Sequence, residues 1–168
     1  MKSAYRFISD TWKKSPSSAD KNMITGWRKE NTVTKLERPT RIDRARGLGY
    51  KAKQGFVVAR VRVSRGMRKR PKPAGGRRPK RAGRFFSLGK SKKQVAEEKA
   101  SRKFRNLNVL SSYWVGEDGN SQWYEIILVD PNHPSIRKDK NIRWITDPKH
   151  KGRAFRGKTS AGQKSRGL

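Results

Sequence analysis

Alternating apolar and polar residues mark one stretch in the first half of the chain. Within Phe56–Arg65 one series of alternate residues, from Val57 to Val63, is apolar, and the other contains Val58, Arg60, Arg62 and Ser64. This period of two is typical of a strand with one buried face. The side chains that this strand would bury are those of Val57, Ala59, Val61 and Val63. Arg60 and Arg62 would then point outward in line, either as an ordinary solvated face or, beside the basic run that follows, toward phosphate groups.

Two apolar, aromatic-rich runs lie in the second half of the chain. They are Leu107–Val115 and Trp123–Val129, and residues 116–120 between them read Gly-Glu-Asp-Gly-Asn. Two such runs around turn-forming residues predict a β-hairpin, which we expect to form the centre of the core. No Lys or Arg occurs from 107 to 130, so the large aromatic residues here are interpreted as packing residues. These residues are Trp114, Trp123 and Tyr124.

Helical spacing of apolar residues occurs in two stretches near the N-terminus. The first predicts a short amphipathic helix that ends before Pro16, and the second predicts a helix from about Asp20 to Leu36, with Gly26 in its middle. We expect both helices to pack on the core through their apolar faces. Those faces consist of Ala4, Phe7, Ile8 and Trp12 in the first helix and of Met23, Ile24 and Trp27 in the second.

A third helix is predicted to begin at Ser91, where Ser91 and Gln94 fit a capping box. Its expected core-facing residues are Val95, Ala96, Ala100 and Phe104. The preceding stretch, Gly66–Lys90, is rich in Pro, Gly and cations, and this composition disfavours regular structure. Fully extended, such a loop reaches about 80 Å, against a radius of gyration of about 15 Å for a compact chain of this length. A flexible linker or a nuclear-import signal has a similar composition.

The charge of the chain is concentrated in two segments. Residues 44–96 contain 19 Lys or Arg and no acid, and residues 148–168 contain seven more, again without an acid, in a chain of 168 residues with a net charge of +31. Like charges this close together need a polyanion, and a phosphodiester backbone is the commonest one in a cell. Leu, Ile, Val and Phe together make up only 30 residues. We therefore expect a small core whose extensions, including an irregular tail from Pro148 anchored by Phe155, become ordered on a partner.

Other classes of function find little support. The chain has no Cys and only two His, so neither a disulfide framework nor a metal site is indicated. Residues 152–159, GRAFRGKT, match the P-loop pattern, but neither a buried strand before them nor an apolar helix after them is predicted. No signal peptide or membrane-spanning run is recognised, and we expect a soluble, cytosolic protein that is not an enzyme and needs no cofactor.

Four ordered motifs resemble one protein family. They are RPTRIDRARGLGYKAKQGFVVARVRVSRG (38–66), SSYWVGEDG (111–119), ILVDPNHP (127–134) and KGRAFRGKTSAGQKSRGL (151–168). The family is the archaeal and eukaryotic large-subunit ribosomal protein family L-fifteen-e, and the short Arg/Pro-rich loop resembles archaeal members. The resemblance implies a structural constituent of the large ribosomal subunit in the cytoplasm. It also implies an α+β fold, with a small antiparallel β-sheet flanked by helices and with basic extensions buried in RNA.

Large-subunit rRNA and neighbouring large-subunit proteins are the partners that the resemblance implies, with no membrane and no small-molecule substrate. The resemblance and the charge pattern together nominate an rRNA-binding set. It comprises Lys51, Lys53, Arg60, Arg62, Arg65, Arg68, Lys69, Arg70, Arg77, Arg78, Lys80, Arg81, Lys149, Lys151, Arg153, Arg156, Lys158, Lys164 and Arg166. Four aromatic residues among these cations either stack on bases or pack internally. They are Tyr50, Phe85, Phe86 and Phe155.

The chain is predicted to be a single domain with four regions. Residues 1–43 would form a helical region, 44–90 the first strand and the basic loop, 91–147 the helix and hairpin core, and 148–168 the basic tail. The alternative function is that of a chromatin-type DNA-binding architectural protein, which also needs basic arms.

Overall fold

The computed structural model describes residues 3–14 and 21–168. In these residues the α-helices are α1 (Ala4–Lys14), α2 (Lys21–Lys29), α3 (Ile42–Gly47), α4 (Lys92–Lys103), α5 (Pro134–Arg137) and α6 (Ser160–Ser165). The strands are β1 (Val33–Leu36), β2 (Phe56–Ser64), β3 (Arg68–Lys69), β4 (Phe85–Phe86), β5 (Asn108–Glu117) and β6 (Ser121–Val129). Short 3-10 helices are Pro79–Arg81, Arg143–Thr146 and Pro148–His150. Pro16 and Asp20, which bounded two of the predicted helices, lie outside the described residues.

The centre of the fold is an antiparallel sheet with the strand order β1-β2-β6-β5. The predicted hairpin is confirmed as β5 and β6, and Asp118 closes its turn by accepting hydrogen bonds from the backbone amides of Asn120 at 2.8 Å and Ser121 at 2.6 Å. Short polar side chains that bond to the backbone in this way are typical of tight turns. The predicted α+β class, with a small antiparallel sheet flanked by helices, is confirmed.

Helices cover both faces of this sheet. On one face, α4 packs Ala96 and Ala100 against Ala59, Val61 and Ile126. The start of α4 is as predicted, because Ser91 is its N-cap and accepts a hydrogen bond from the Gln94 amide at 3.2 Å. The other face packs against α2 and α3. The buried residues between this face and the two helices are Ile24, Trp27, Ala45, Tyr113, Val115, Trp123 and Ile127.

The first two predicted helices need correction. The second ends at Lys29, and its last predicted turn is instead β1, which pairs with β2 from Val33↔Val61 to Leu36↔Val58. The β-branched residues at 32–34 are stiff in a helix and fit a strand. The first helix packs on α3, and Phe7, which was expected to face the core, remains 59% exposed.

The predicted half-buried strand is a central strand that is covered on both faces. Val58 and Arg60 in β2 are buried like Ala59 and Val61, because α2 packs over the face that was expected to point outward. Alternation in sequence thus identified the strand correctly but not the burial of its polar face.

The C-terminal tail folds back onto the domain, contrary to the prediction of an irregular segment. Ala154, Thr159 and Ala161 are buried, and Thr159 is the N-cap of α6. The Thr159 hydroxyl also donates to the buried carboxylate of Glu97 on α4. The tail is therefore held by polar contacts and small residues, which leave no hydrophobic pattern in the sequence.

A close backbone approach inside the tail predicts a large effect for a small substitution. A Cβ atom at Gly162 would lie 2.6 Å from the Cα of Gly157, whose φ is +64°. Since a backbone atom cannot move aside easily, we expect Gly162→Ala to lower the free energy of unfolding by about 1–3 kcal/mol. Chemical denaturation measures this loss. Gly26→Ala is the control, because a Cβ there meets nothing within 4 Å and should add up to about 1 kcal/mol of helix stability.

Candidate nucleic-acid interface

The loop Gly66–Lys90 projects cations, and apart from Lys90, which pairs with Glu98 at 2.7 Å, those that the structure describes form no ion pair. Its base is the β3–β4 pair, with Arg68 opposite Phe86 and Lys69 opposite Phe85, and a 3-10 turn lies near its tip. At that turn the side chains of Arg77, Arg78, Lys80 and Arg81 are exposed and form no hydrogen bond or ion pair with the described residues. These four positions therefore present charge to solvent. The Arg68 side chain lies outside the described part of the chain.

Aromatic rings lie beside the cations at the base of the loop. The Arg70 guanidinium is 4.2 Å from the ring centroid of Phe86, and Phe85 is 65% exposed. Lys69, Arg70 and Phe86 also line a concavity of about 510 Å³. A flat cation held over an exposed ring is suited to contact with bases and phosphates.

The four aromatic residues that were nominated for stacking divide into two groups. Tyr50 is half-buried and packs edge-on against Phe56, with ring centroids 5.9 Å apart, so internal packing describes it. Phe85, Phe86 and Phe155 remain exposed. Those three rings are accessible to a partner.

Two of the nominated cations face inward. Arg60 is 8% exposed, bonds the Glu30 carboxylate at 2.6 Å and lies 4.4 Å from the ring centroid of Trp27. Its predicted outward orientation is wrong, because a counter-ion thirty residues earlier in the chain neutralises it.

Arg153 is also turned into the protein. Its guanidinium donates to the carbonyl oxygens of Val109, Leu110 and Lys158, each at 2.9 Å, and burial lowers its pKa. The same group lies 5.0 Å from the centroid of Trp144. Arg153 therefore fastens the tail to β5, which is a structural task.

Lys51 and Lys53 share one carboxylate. Both ammonium groups lie 2.7 Å from the same oxygen of Asp139, and these hydrogen bonds lower the pKa of that carboxyl well below its usual range. One positive charge thus remains uncompensated at this site.

Two nominated cations of β2 and the residue after it bond to backbone carbonyl groups. Arg62 donates to the Arg28 carbonyl oxygen, and Arg65 donates to the Asp118 carbonyl oxygen.

The remaining nominated cations of the tail are exposed. They are Lys149, Lys151, Arg156, Lys158, Lys164 and Arg166. Lys149 pairs with Asp147 at 2.8 Å, whereas Arg156 donates only to backbone carbonyl oxygens, those of Lys149 and Lys151. The tail therefore adds a second, less extended basic surface to the loop.

A cationic cavity of about 400 Å³ beside β5 was not predicted. Lys13, Arg41, Arg44 and Lys93 line it together with Trp114, which is half-buried. The interpretation of Trp114 as a packing residue distant from cations is therefore incomplete. The acid-free segment held a partial signal, since Arg44 and Lys93 both lie in it, but their proximity depends on tertiary structure.

The P-loop match does not form a P-loop. Residues 151–157 are a series of turns, and the Thr159 hydroxyl is bound to Glu97. Within residues 3–14 and 21–168 no group of three or more His, Asp or Glu side chains is placed to hold a metal ion. None of the helices described is long and apolar enough to cross a membrane.

A small α+β domain with exposed cations on a long loop is typical of structural proteins that bind polyanions. The chain belongs to the ribosomal protein family described as Ribosomal L15, whose family model matches residues 3–168. It is similar to the large ribosomal subunit protein eL15 of the archaeon Methanococcoides burtonii, with 54% identity over 165 residues that cover 95% of this chain and 84% of that protein. The chain is accordingly a structural constituent of the large subunit of the cytoplasmic ribosome and not an enzyme. The resemblance seen in the sequence motifs is confirmed.

Proposed function

We propose that this large-subunit protein stabilises folded rRNA by inserting the loop Gly66–Lys90 between RNA helices. The observation that supports the proposal best is the set of four unpaired cations at the loop turn, which are Arg77, Arg78, Lys80 and Arg81. Because these side chains form no hydrogen bond or ion pair with the described residues, none of those contacts competes with their interaction with phosphates. Arginine suits this task, since its planar fork bridges phosphates and stacks on bases.

The exposed cations of the tail are proposed as a second contact with the same RNA. Phosphate neutralisation releases bound counter-ions, so the affinity should fall steeply with salt, with a slope of about 0.7–0.9 per phosphate engaged. Arg60 and Arg153 are expected to act indirectly, since both are committed to internal contacts. Neighbouring large-subunit proteins are further partners of this surface.

Different regions of the chain have different roles in this proposal. The described parts of residues 1–43, strand β2 and the core 91–147 form the packed domain, while the loop within 44–90 and the tail 148–168 contact RNA. The tail does so from a docked position, because Glu97 and Arg153 hold it against the core.

Competition between nucleic acids tests the class of polyanion. We expect the full-length protein to bind a folded large-subunit rRNA fragment at least about tenfold more tightly than duplex DNA of equal length at matched salt, since exposed single-stranded bases allow stacking in addition to phosphate contacts. Equilibrium competition in a filter-binding assay measures the ratio. Equal affinities would instead favour a chromatin-type architectural protein.

A further inference from the structure

The cationic cavity beside β5 is built by three helices around the edge of the sheet. β5 is an edge strand, and Tyr113 and Trp114 on it form part of the cavity wall. Lys13 comes from α1, Arg44 from α3 and Lys93 from α4. Elements that lie on opposite faces of the sheet thus bring cations to one opening.

The charge in this cavity is only partly balanced. Arg41 pairs with Asp43 at 3.2 Å, and Lys13 lies 3.9 Å from Asp10. The side chains of Arg44 and Lys93 form no hydrogen bond or ion pair with the described residues. No Asp or Glu is among the residues that line the cavity.

Burial and neighbouring positive charges affect Lys93 in this cavity. Its pKa is lowered chiefly by burial and further by the positive charges of Lys164 and Arg44, while Glu97 acts in the opposite direction. The Glu97 oxygens, however, accept hydrogen bonds from the hydroxyls of Ser112 and Thr159. A bound anion would supply the hydrogen-bond acceptor that the half-buried ammonium group lacks.

The cavity also offers a ring system and suitable room. Trp114 is half-buried, whereas the Tyr113 hydroxyl is committed to the Glu125 carboxylate at 2.6 Å. A volume of about 400 Å³ falls within the range of small-ligand pockets. An aromatic wall beside two unpaired cations is the arrangement that recognises the base and the phosphate of one nucleotide.

We propose that this cavity binds one unpaired nucleotide of an RNA strand, with its phosphate held by Arg44 and Lys93 and its base stacked against Trp114. That the nucleotide belongs to rRNA rests on the function proposed above. The cavity is a specific nucleotide site formed by residues outside the loop and the tail. The loop and the tail, by contrast, contact mainly the phosphate backbone of the RNA.

The test uses the full-length protein and a short single-stranded RNA oligonucleotide of mixed sequence. Arg44→Gln combined with Lys93→Gln removes the unpaired cations, and Lys138→Gln combined with Lys140→Gln removes the same charge from exposed positions elsewhere. We expect the cavity variant to lose about tenfold in affinity and the control to lose about threefold or less at matched salt, because a phosphate contact in a pocket is charge-assisted and partly desolvated. Ultraviolet crosslinking followed by peptide mass spectrometry should join RNA to Trp114 in the wild type and in the control but not in the cavity variant.

Equal losses in the two variants, or a wild type without a crosslink at Trp114, would overturn the inference. A third variant with Gln at Arg77, Arg78, Lys80 and Arg81 separates it from the proposed function. If that loop variant alone loses affinity, the cavity inference is wrong and the proposed function stands, whereas wild-type affinity in both variants rejects both. Adenosine monophosphate that binds as tightly as the oligonucleotide would identify a free nucleotide as the ligand and contradict the RNA assignment. Arg44→Gln alone, at an exposed position, keeps the test decisive if the double variant does not fold.

Discussion

Replacing Arg77, Arg78, Lys80 and Arg81 together by Gln should weaken the binding of large-subunit rRNA by roughly tenfold to a thousandfold at moderate salt. The physical reason is the loss of four cations that face solvent and have no partner in the described fold. Fewer counter-ions are released, so the slope of log affinity against log salt should fall by up to about 3. Filter binding over a series of salt concentrations measures both quantities.

A matched variant separates the loop from charge in general. The control variant also loses four exposed cations, because Gln replaces Lys35, Arg105, Lys138 and Lys140. Arg137 is kept, since its side chain bonds Asn132. We expect this control to reduce the slope by less than half as much. Both variants should unfold at the wild-type temperature, because surface charges without contacts contribute little to stability. Equal slopes in the two variants would show that only net charge matters, and the loop would lose its proposed role.

Replacing Glu97 by Ala should cost about 2–4 kcal/mol of unfolding free energy and should release the tail. Glu97 is 1% exposed and accepts hydrogen bonds from Ser112 on β5 and Thr159 at the start of α6. Without the carboxylate, both buried hydroxyls lose their acceptor, and the buried hydrogen bond between α4 and the tail is lost. Denaturant unfolding measures the stability, and limited trypsin digestion should cut the tail early.

Glu97→Gln is the informative control. Its amide group both accepts and donates, so it can still bond the two hydroxyls, and we expect a loss of about 1 kcal/mol or less at neutral pH. An Ala variant as stable as the Gln variant, with a tail that resists trypsin, would show that Glu97 does not anchor the tail.

The pH dependence provides a second readout of Glu97. Burial raises its pKa above the usual 4.5, so the folded protein binds this proton more tightly than the unfolded chain does. Its contribution to stability is therefore most favourable at low pH and declines as the pH rises from about 4.5 through the folded pKa. The difference in stability between the wild type and Glu97→Gln should follow that decline.

Local signals in the sequence identified much of the sheet and its main helix. The hairpin β5–β6, the strand β2 and the N-cap Ser91 each depend on residues that are close in sequence, and each was predicted. The strand β1 was not, because its stability comes from pairing with β2, about 25 residues away. The docking of the tail was not predicted for the same reason, since Glu97, which holds the tail, lies on a helix that is distant in sequence.

The candidate site shows the same division between local and distant information. The loop Gly66–Lys90 could be recognised from composition alone, since it combines Pro and Gly with unbalanced charge. The sequence does not distinguish Arg60 and Arg153 from solvent-facing cations. Their hydrogen-bond acceptors, Glu30 and carbonyl groups of β5, are distant in sequence. Charge counting therefore overestimates how many cations are available to RNA.

Crosslinking within intact large subunits tests the central proposal most directly. The subunits are isolated on a high-salt sucrose gradient, irradiated with ultraviolet light, and digested for mass spectrometry of RNA-linked peptides. We expect this chain to co-migrate with the large subunit and RNA-linked peptides to come from Gly66–Lys90. If the chain remains in the subunit but its loop yields no RNA-linked peptide and is open to trypsin, the loop does not bind rRNA as proposed.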